Sequence, residues 1–367
     1  ISLSQGLQEA IGKQFLKLGS DKLMVQAAGS GFGPPGTAVS IPLTTADKDT
    51  IEKVQGVDTV LGRLIRTVKL EFKDEVKYSY VVSLPEDTEE RALAIEANSY
   101  EIASGRLLEK GDKYAVMIGN DFADDFFEEK LEIRDKVKIQ NQEFKVVGVL
   151  KKSGNPQQDS AFVIPEDALR EILSVKNEYD VIAVKIKSGE DLNNVAEDVK
   201  KELRSSRNVD KGKEDFSVET PQQILATLNT VLMIIEGVLI GIAAISLLVG
   251  GVGIMNTMYT AVLERTKEIG IMKAIGATNR EVMSVFMIES GLLGLMGGVI
   301  GVILGLSISK SVELIAFQVY ETQLIEANIS VSLIVGALLF AFFVGAISGV
   351  FPAQQAAKLK PVDALRK

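Results

Sequence analysis

Apolar and polar positions follow two different patterns along the chain, and the change comes near Thr230. Beyond it, three long runs carry no charge: 237–263, 290–309 and 327–357, the last being most apolar between Ile334 and Phe351. A helix needs about 20 apolar residues to cross the hydrocarbon core of a bilayer. None of these runs shows the polar stripe that a soluble helix of that length carries. They read as membrane spans over 237–263, 282–309 and 327–351.

Before Thr230 the periods are short. Lys22–Gln26 reads as a strand, Ala46–Val54 as a helix and Val57 onward as extended chain. Val68, Leu70 and Phe72, then Val76, Tyr78, Tyr80 and Val82, keep period two around Lys73-Asp74-Glu75, which predicts a hairpin. Later, Val181–Ile186 reads as a strand, Asp191–Leu203 as a helix and Phe216–Val218 as a strand. Two βαβ halves of this kind predict a ferredoxin-like split unit over 21–84 and 179–219. Between them, 85–178 reads as an inserted small α+β subdomain. It has a strand at Tyr114–Ile118, an acidic helix at Asp121–Glu129, and a hairpin joining Val137–Ile139 to Phe144–Leu150 across Asn141-Gln142. The fold class expected is an α-helical transmembrane bundle plus an α+β extracytoplasmic domain.

Amphipathic helices bracket the outer half. Leu3, Leu7, Ala10, Ile11 and Leu18 share one stripe within 1–20, ending at Gly19. Over 220–236, Thr220 and Gln223 form a capping box with Pro221 at the first helical position, and Ile224, Leu228, Val231 and Ile235 continue as a stripe. Two arrangements satisfy both stripes: a stalk in which the helices face each other and relay movement, or ordinary packing against the outer domain. In the membrane half, Gly297, Gly301 and Gly305 recur at every fourth residue, as do Gly237 with Gly241 and Gly345 with Gly349, spacings that let helix backbones approach. Glu236 and Glu289 read as interfacial anchors.

Composition narrows the chemistry. The chain has no Cys, His or Trp, which removes thiol nucleophiles, imidazole bases and Cys/His zinc sites. A net charge of -9 argues against nucleic acid as a partner. Asp124, Asp125, Glu128 and Glu129 read as a solvated face rather than a metal cluster. Gly29, Gly31 and Gly33 lead into Pro34-Pro35 where a phosphate-binding turn would open a helix, so they read as a loop. No catalytic, cofactor or metal site is expected.

Lys and Arg beside the spans set the orientation. Arg265, Lys267, Lys273 and Arg280 follow the first span, and Lys358, Lys360, Arg366 and Lys367 follow the third, which places segment 264–281 and the tail 352–367 in the cytoplasm. The loop 310–326 has Lys310 against Glu313, Glu321 and Glu326 and faces out, as by alternation does the N-terminal domain. Exporting that domain needs a signal anchor or an earlier span, and a span is expected upstream of Ile1. Segment 264–281 contains a short helix with Glu264 and Glu268 on one side and Ile271 with Ile275 on another. It stops at Gly276, and Thr278 with Glu281 forms a capping box for the next helix.

The run Glu264-Arg265-Thr266-Lys267-Glu268-Ile269-Gly270-Ile271-Met272-Lys273-Ala274-Ile275-Gly276-Ala277 resembles the cytoplasmic loop of the MacB and FtsX type of ABC transporter permeases. Gly250–Asn256, Glu289, Gly105-Arg106-Leu107, Phe144–Leu150 and Ile164-Pro165 resemble the same family. The resemblance implies four spans in a cell-membrane protein, a homodimer surrounded by lipid, an outer region made of a porter-type subdomain and an inserted one, and an extracytoplasmic substrate or accessory protein. It makes Glu264, Arg265, Lys267, Glu268, Ile269, Gly270, Ile271, Met272, Lys273 and Gly276 the segment that docks on an ATPase. Neither Gly12-Lys13-Gln14 nor Gly212-Lys213-Glu214 ends a Walker loop, so ATP and Mg are expected on a separate ABC ATPase subunit. The function expected is a non-catalytic permease subunit that couples ATP hydrolysis to outer-domain movement and thereby exports or extracts a substrate. The alternative is an FtsX-like signalling subunit that activates an external hydrolase.

Single cysteines at Asn155 and Lys273 in the full-length protein test the orientation: an impermeant maleimide added to intact cells should label the first and not the second. Labelling at position 273 alone would invert the topology.

Overall fold

The computed structural model describes residues 12, 21–28, 41–124, 126–320 and 330–366. The stripe residues Leu3, Leu7, Ile11 and Leu18, the Gly29–Pro35 loop and Asp125 lie outside the described residues. Contacts divide the chain between Leu228 and Asn229 into two units.

The outer unit is built on two sheets. The first uses β1 (Lys22–Ala27), β3 (Val57–Arg63), β12 (Val181–Ile186) and β13 (Phe216–Glu219), with β2 (Leu43–Thr44) pairing separately with β11 (Glu178–Tyr179). Its order is β13-β1-β12-β3, antiparallel throughout. One face packs on α1 (Thr45–Glu52) and α6 (Leu192–Arg207) through Leu23, Val25, Ile51, Val60, Val184, Val199 and Leu203. Both helices begin where side chains satisfy their free amides. Thr44 and Asp47 form a reciprocal capping box on α1, and Asp191 accepts from the Asn194 amide at 2.9 Å on α6.

The second sheet contains β4 (Ile65–Phe72), β5 (Glu75–Leu84), β6 (Ile102–Gly105), β7 (Ala115–Ile118), β8 (Lys136–Ile139), β9 (Gln142–Leu150) and β10 (Ala161–Pro165) in the order β6-β9-β7-β10-β5-β4-β8. Because β8 pairs with both β4 and β9, six of these strands close into a ring. Val68, Leu70, Phe72, Val81, Ile118, Phe144 and Phe162 fill its interior. The short helix α3 (Asn120–Asp124) contributes Phe122, whose ring lies 4.3 Å from that of Phe162, and α5 (Glu166–Leu173) contributes Ala168 and Leu169. The β4–β5 hairpin belongs to this sheet, so strand pairing changes from one sheet to the other at Leu64 rather than at Pro85.

The hairpin also differs in register from the expectation. Phe72 pairs with Glu75 and Val68 with Ser79, leaving a two-residue turn in which Lys73 takes φ 50°. A three-residue turn over Lys73-Asp74-Glu75 would have put Val76, Tyr78, Tyr80 and Val82 beside Phe72. One residue fewer sends all four to the opposite face. Ser79, Val81 and Ser83 are buried instead, while Val76 and Tyr78 are exposed. The later hairpin turns at Gln140-Asn141, one residue before its expected place, with φ 49° and 72°, as a type I′ turn requires. The acidic helix ends at Asp124 rather than reaching Glu129.

In the second unit, α7 (Pro221–Glu264), α9 (Asn279–Tyr320) and α10 (Val331–Ser348) are long and apolar enough to cross a membrane. Helices α9 and α10 pack at glycines. A Cβ on Gly294 would lie 2.4 Å from the Ala341 carbonyl oxygen, and one on Gly345 would lie 2.5 Å from that of Ser290. The backbones therefore approach more closely than any side chain permits. Gly297, Gly301 and Gly305 face none of the described atoms within 4 Å, and neither do Gly237 and Gly241. The third apolar run is two helices rather than one. It breaks at Gly349, and α11 (Val350–Lys358) buries Pro352, Ala353, Ala356 and Ala357.

Asp47 is a buried carboxylate of the outer unit held by several donors. It is 3% exposed and accepts from the Thr44 amide at 2.7 Å, from Arg207 Nε at 2.8 Å and from Arg207 Nη2 at 2.7 Å. Burial alone would raise its pKa, but the hydrogen bonds from Arg207 and Thr44 outweigh burial and hold it below the usual carboxylate range. A depressed folded pKa contributes stability that is complete above the unfolded value of about 3.9 and is lost as pH falls through the folded one. Asp47→Asn should therefore cost about 3 kcal/mol at neutral pH, and the gap from wild type should narrow below about pH 4. Urea melts of the 21–220 fragment at both pH values check this, and the same melts show whether that fragment unfolds cooperatively.

Candidate functional site

The ends of two long helices and two short ones meet around Ile269. Met258 and Val262 come from the last turns of α7, Val282 and Phe286 from the first turns of α9, and Ala353, Ala356 and Ala357 from α11. Between α7 and α9 lies α8 (Thr266–Ala274), with Ile269 at 0% exposure in this cluster and Met272 packed against it. A further helix, α12 (Pro361–Arg366), packs along α8 and buries Ala364.

Local chemistry frames α8 at its end. The amide of Ala277 donates to the Met272 carbonyl at 3.0 Å and that of Gly276 to the Lys273 carbonyl at 3.2 Å, a Schellman closure. Gly276 adopts φ +107°, where an L side chain is strained. Two residues on, Thr278 and Glu281 make the expected capping box: the Thr278 amide donates to Glu281 Oε2 at 2.8 Å and the Glu281 amide to Thr278 Oγ1 at 3.3 Å. With stop and start signals this close together, the direction in which α8 leaves and α9 enters is set by backbone hydrogen bonds.

The expected docking residues separate into two faces. Ile269, Gly270, Met272 and Lys273 turn inward. Glu264, Lys267, Glu268, Ile271 and Gly276 are exposed, as are the neighbouring Ala274 and Ile275, with Ile271 at 50% and Ile275 at 81%. Arg265 is also exposed and donates to Glu289 Oε1 at 3.0 Å, so Glu289 has an ion-pair partner across the α7–α9 junction. Lys273 holds the C-terminal end of α11: its Nζ donates to the carbonyls of Ala357 and, at 2.9 Å, Leu359. A cation at that position meets the free carbonyls and negative end of the helix. Neither contact is local in sequence, and no periodicity signals them. Helix α12 is different, because Pro361 one residue after Lys360 is a helix-start signal.

Two family models match the chain. The FtsX-like permease C-terminal model matches residues 240–361 and includes the whole cluster around Ile269. The MacB-like periplasmic core domain matches residues 1–202. An uncharacterized ABC transporter permease of Methanocaldococcus jannaschii is 40% identical over 367 residues, 100% of this chain and 89% of the relative. The chain belongs to the MacB/FtsX-type ABC transporter permeases. The permease is also 30% identical over 339 residues to the uncharacterized ABC transporter permease YknZ of Bacillus subtilis, covering 90% of this chain and 81% of that one. To the macrolide export ATP-binding/permease protein MacB of Bdellovibrio bacteriovorus it is 30% identical over 379 residues, spanning 100% of the permease but 56% of the relative. The crystal structure of the periplasmic region of MacB from Actinobacillus actinomycetemcomitans aligns at TM-score 0.46 and 18% identity over 60% of the permease and 97% of that chain.

At the other expected site, the Thr220–Gln223 box forms, with the Thr220 amide donating to Gln223 Oε1 at 3.1 Å and the Gln223 amide to Thr220 Oγ1 at 3.2 Å. Ile224 and Leu228 are half-buried and Val231 is 39% exposed. Their expected counterparts, Leu3, Leu7 and Ile11, lie outside the described residues.

Lys273→Met should leave two carbonyls at the end of α11 without their donor, at a cost of about 1–2 kcal/mol. Hydrogen–deuterium exchange should rise across 354–366 and stay unchanged in the α9–α10 contact. Unchanged exchange across 354–366 would remove Lys273 from the support of α8.

Proposed function

We propose that the permease subunit couples ATP hydrolysis on a separate ABC ATPase to movement of its extracytoplasmic domain, and so exports or extracts a substrate. The observation that carries this reading is the division of α8 into an inner face locked into its own chain and an outer face that leaves Ile271 and Ile275 open. A short helix so anchored is suited to enter a groove of another protein and pass displacement inward without rotating, with a few apolar side chains supplying most of the affinity. Glu264, Lys267 and Glu268 would line the rim of that contact. Gly276 would keep the helix from running on into α9. ATP and Mg would stay on the partner.

The length of α7 supports the same reading. It is unbroken for 44 residues, roughly 66 Å at 1.5 Å per residue, about twice the hydrocarbon thickness of a bilayer. Such a helix can carry axial movement along Ile224, Leu228 and Val231 past the membrane boundary. The order β13-β1-β12-β3, with α1 and α6 on one face, supports a ferredoxin-like, porter-type identity for the first sheet. The row Gly297, Gly301 and Gly305, open within one chain, is compatible with a homodimer in lipid. Signalling to an external hydrolase remains the alternative function for the same coupling geometry.

Ile271→Asp should weaken retention of the ATPase on the purified permease by about 30-fold, the equivalent of about 2 kcal/mol for a buried anchor, with the melting temperature unchanged. Met272→Asp should instead lower the melting temperature, because that side chain packs within the chain. Wild-type ATPase retention and transport in Ile271→Asp would exclude the outer face of α8 from coupling. A variant-sensitive ATPase that drives hydrolase activation with no substrate movement would establish the signalling alternative.

A further inference from the structure

The first sheet of the outer unit has a second face, away from α1 and α6. There Leu61, Met24 and Ala183 meet Leu84, Met117 and Val163 in a separate apolar cluster. Beside this cluster is a cleft of about 190 Å³, lined by Leu61, Arg63, Tyr80, Val82, Tyr100 and Ala183 among others. Its walls are mostly apolar, and Arg63 is the charged residue among those lining it. Tyr80 and Val82 reach it because the two-residue hairpin turn sends them away from the ring's interior.

Arg63 is 5% exposed. Its Nη2 donates to the Tyr100 hydroxyl at 3.2 Å, and its buried Nε has no acceptor. Among the described residues no carboxylate forms an ion pair with it. The nearest in sequence position across the ladder, Asp180, accepts from the Ile65 amide at 2.7 Å and pairs with Arg66. A buried guanidinium without a counter-charge is costly, and five donors in a planar fork match a carboxylate two oxygens at a time. The surrounding surface is suited to hydrocarbon rather than to the hydrated oxygens of phosphate or sulfate.

We propose that this cleft binds a small monocarboxylate with an apolar body, its carboxylate on Arg63 and Tyr100 and its body against Leu61, Val82 and Ala183. The proposal is independent of how α8 docks, since every residue it uses lies within the outer unit.

The test uses the full chain in lipid nanodiscs, with phenylacetate and octanoate as probes of an aromatic and an aliphatic body and phenylacetamide as the uncharged control. Calorimetry and saturation-transfer NMR should give a dissociation constant on the order of a millimolar or tighter for at least one acid, with the amide weaker by about tenfold. Arg63→Met should lose binding by about tenfold or more while the melting temperature without ligand stays level or rises, since an unpaired buried charge has been removed. Tyr100→Phe should fold and bind less tightly than wild type. Binding of neither acid by folded wild-type protein, equal binding of acid and amide, or unchanged affinity in Arg63→Met would each overturn the proposal.

Discussion

The close approach of two helix backbones at Gly294 and Gly345 is the contact on which the membrane unit depends. Without side chains at these positions, α9 and α10 meet along their carbonyls, and dispersion over that contact substitutes for the hydrophobic driving force that lipid cannot supply between helices. Helix α10 ends one turn beyond this contact, at Ser348. The chain then breaks at Gly349, and α11 brings Ala353, Ala356 and Ala357 against Ile269. A bulkier seam would displace α11, and α8 would lose the surface that orients it. Small residues recur on both levels, glycine in the seam and alanine in α11, because each contact joins helices at short range.

Much of this was legible in the sequence wherever the determining interactions are local. The boxes at Thr220–Gln223 and Thr278–Glu281 each join residues three apart, so reading the spacing was enough. The strand at Lys22, the helix following Thr44 and the three apolar runs were likewise visible from period and length. Register was not. The β4–β5 turn is two residues long because the ladder pairs Phe72 with Glu75, and that choice is settled by what packs on each face of β5, far away in sequence. Nor could a four-residue glycine repeat reveal which row meets a neighbour: Gly297, Gly301 and Gly305 have the same spacing as the helix-packing glycines but point elsewhere.

The segment around α8 shows the same limit. Its boundaries follow from Gly276, Thr278 and Glu281, but its inner and outer faces are decided by α11 and α12, 80 residues or more away, as the reach of Lys273 to Ala357 and Leu359 illustrates. The family resemblance identified the segment as a whole, and packing separates Met272 from Ile271. A charged residue read as a lone interfacial anchor, Glu289, gains Arg265 as partner once the helices fold together.

Closure of the second sheet restricts how other proteins can engage the outer unit. In the ring, the first half of β9 pairs with β8 and the second half with β6, so two strands in succession occupy the backbone groups along that side. An incoming peptide cannot extend such a surface by adding a strand, which requires an open row of amides and carbonyls. That mode of attachment suits the strands ending each order, β13 and β3 in the first sheet and β6 in the second, together with β2 and β11 in their two-stranded pair. Anything that binds the ring itself must recognise side chains and loops, and its specificity will change by substitution there without disturbing the hydrogen bonds that hold the ring closed.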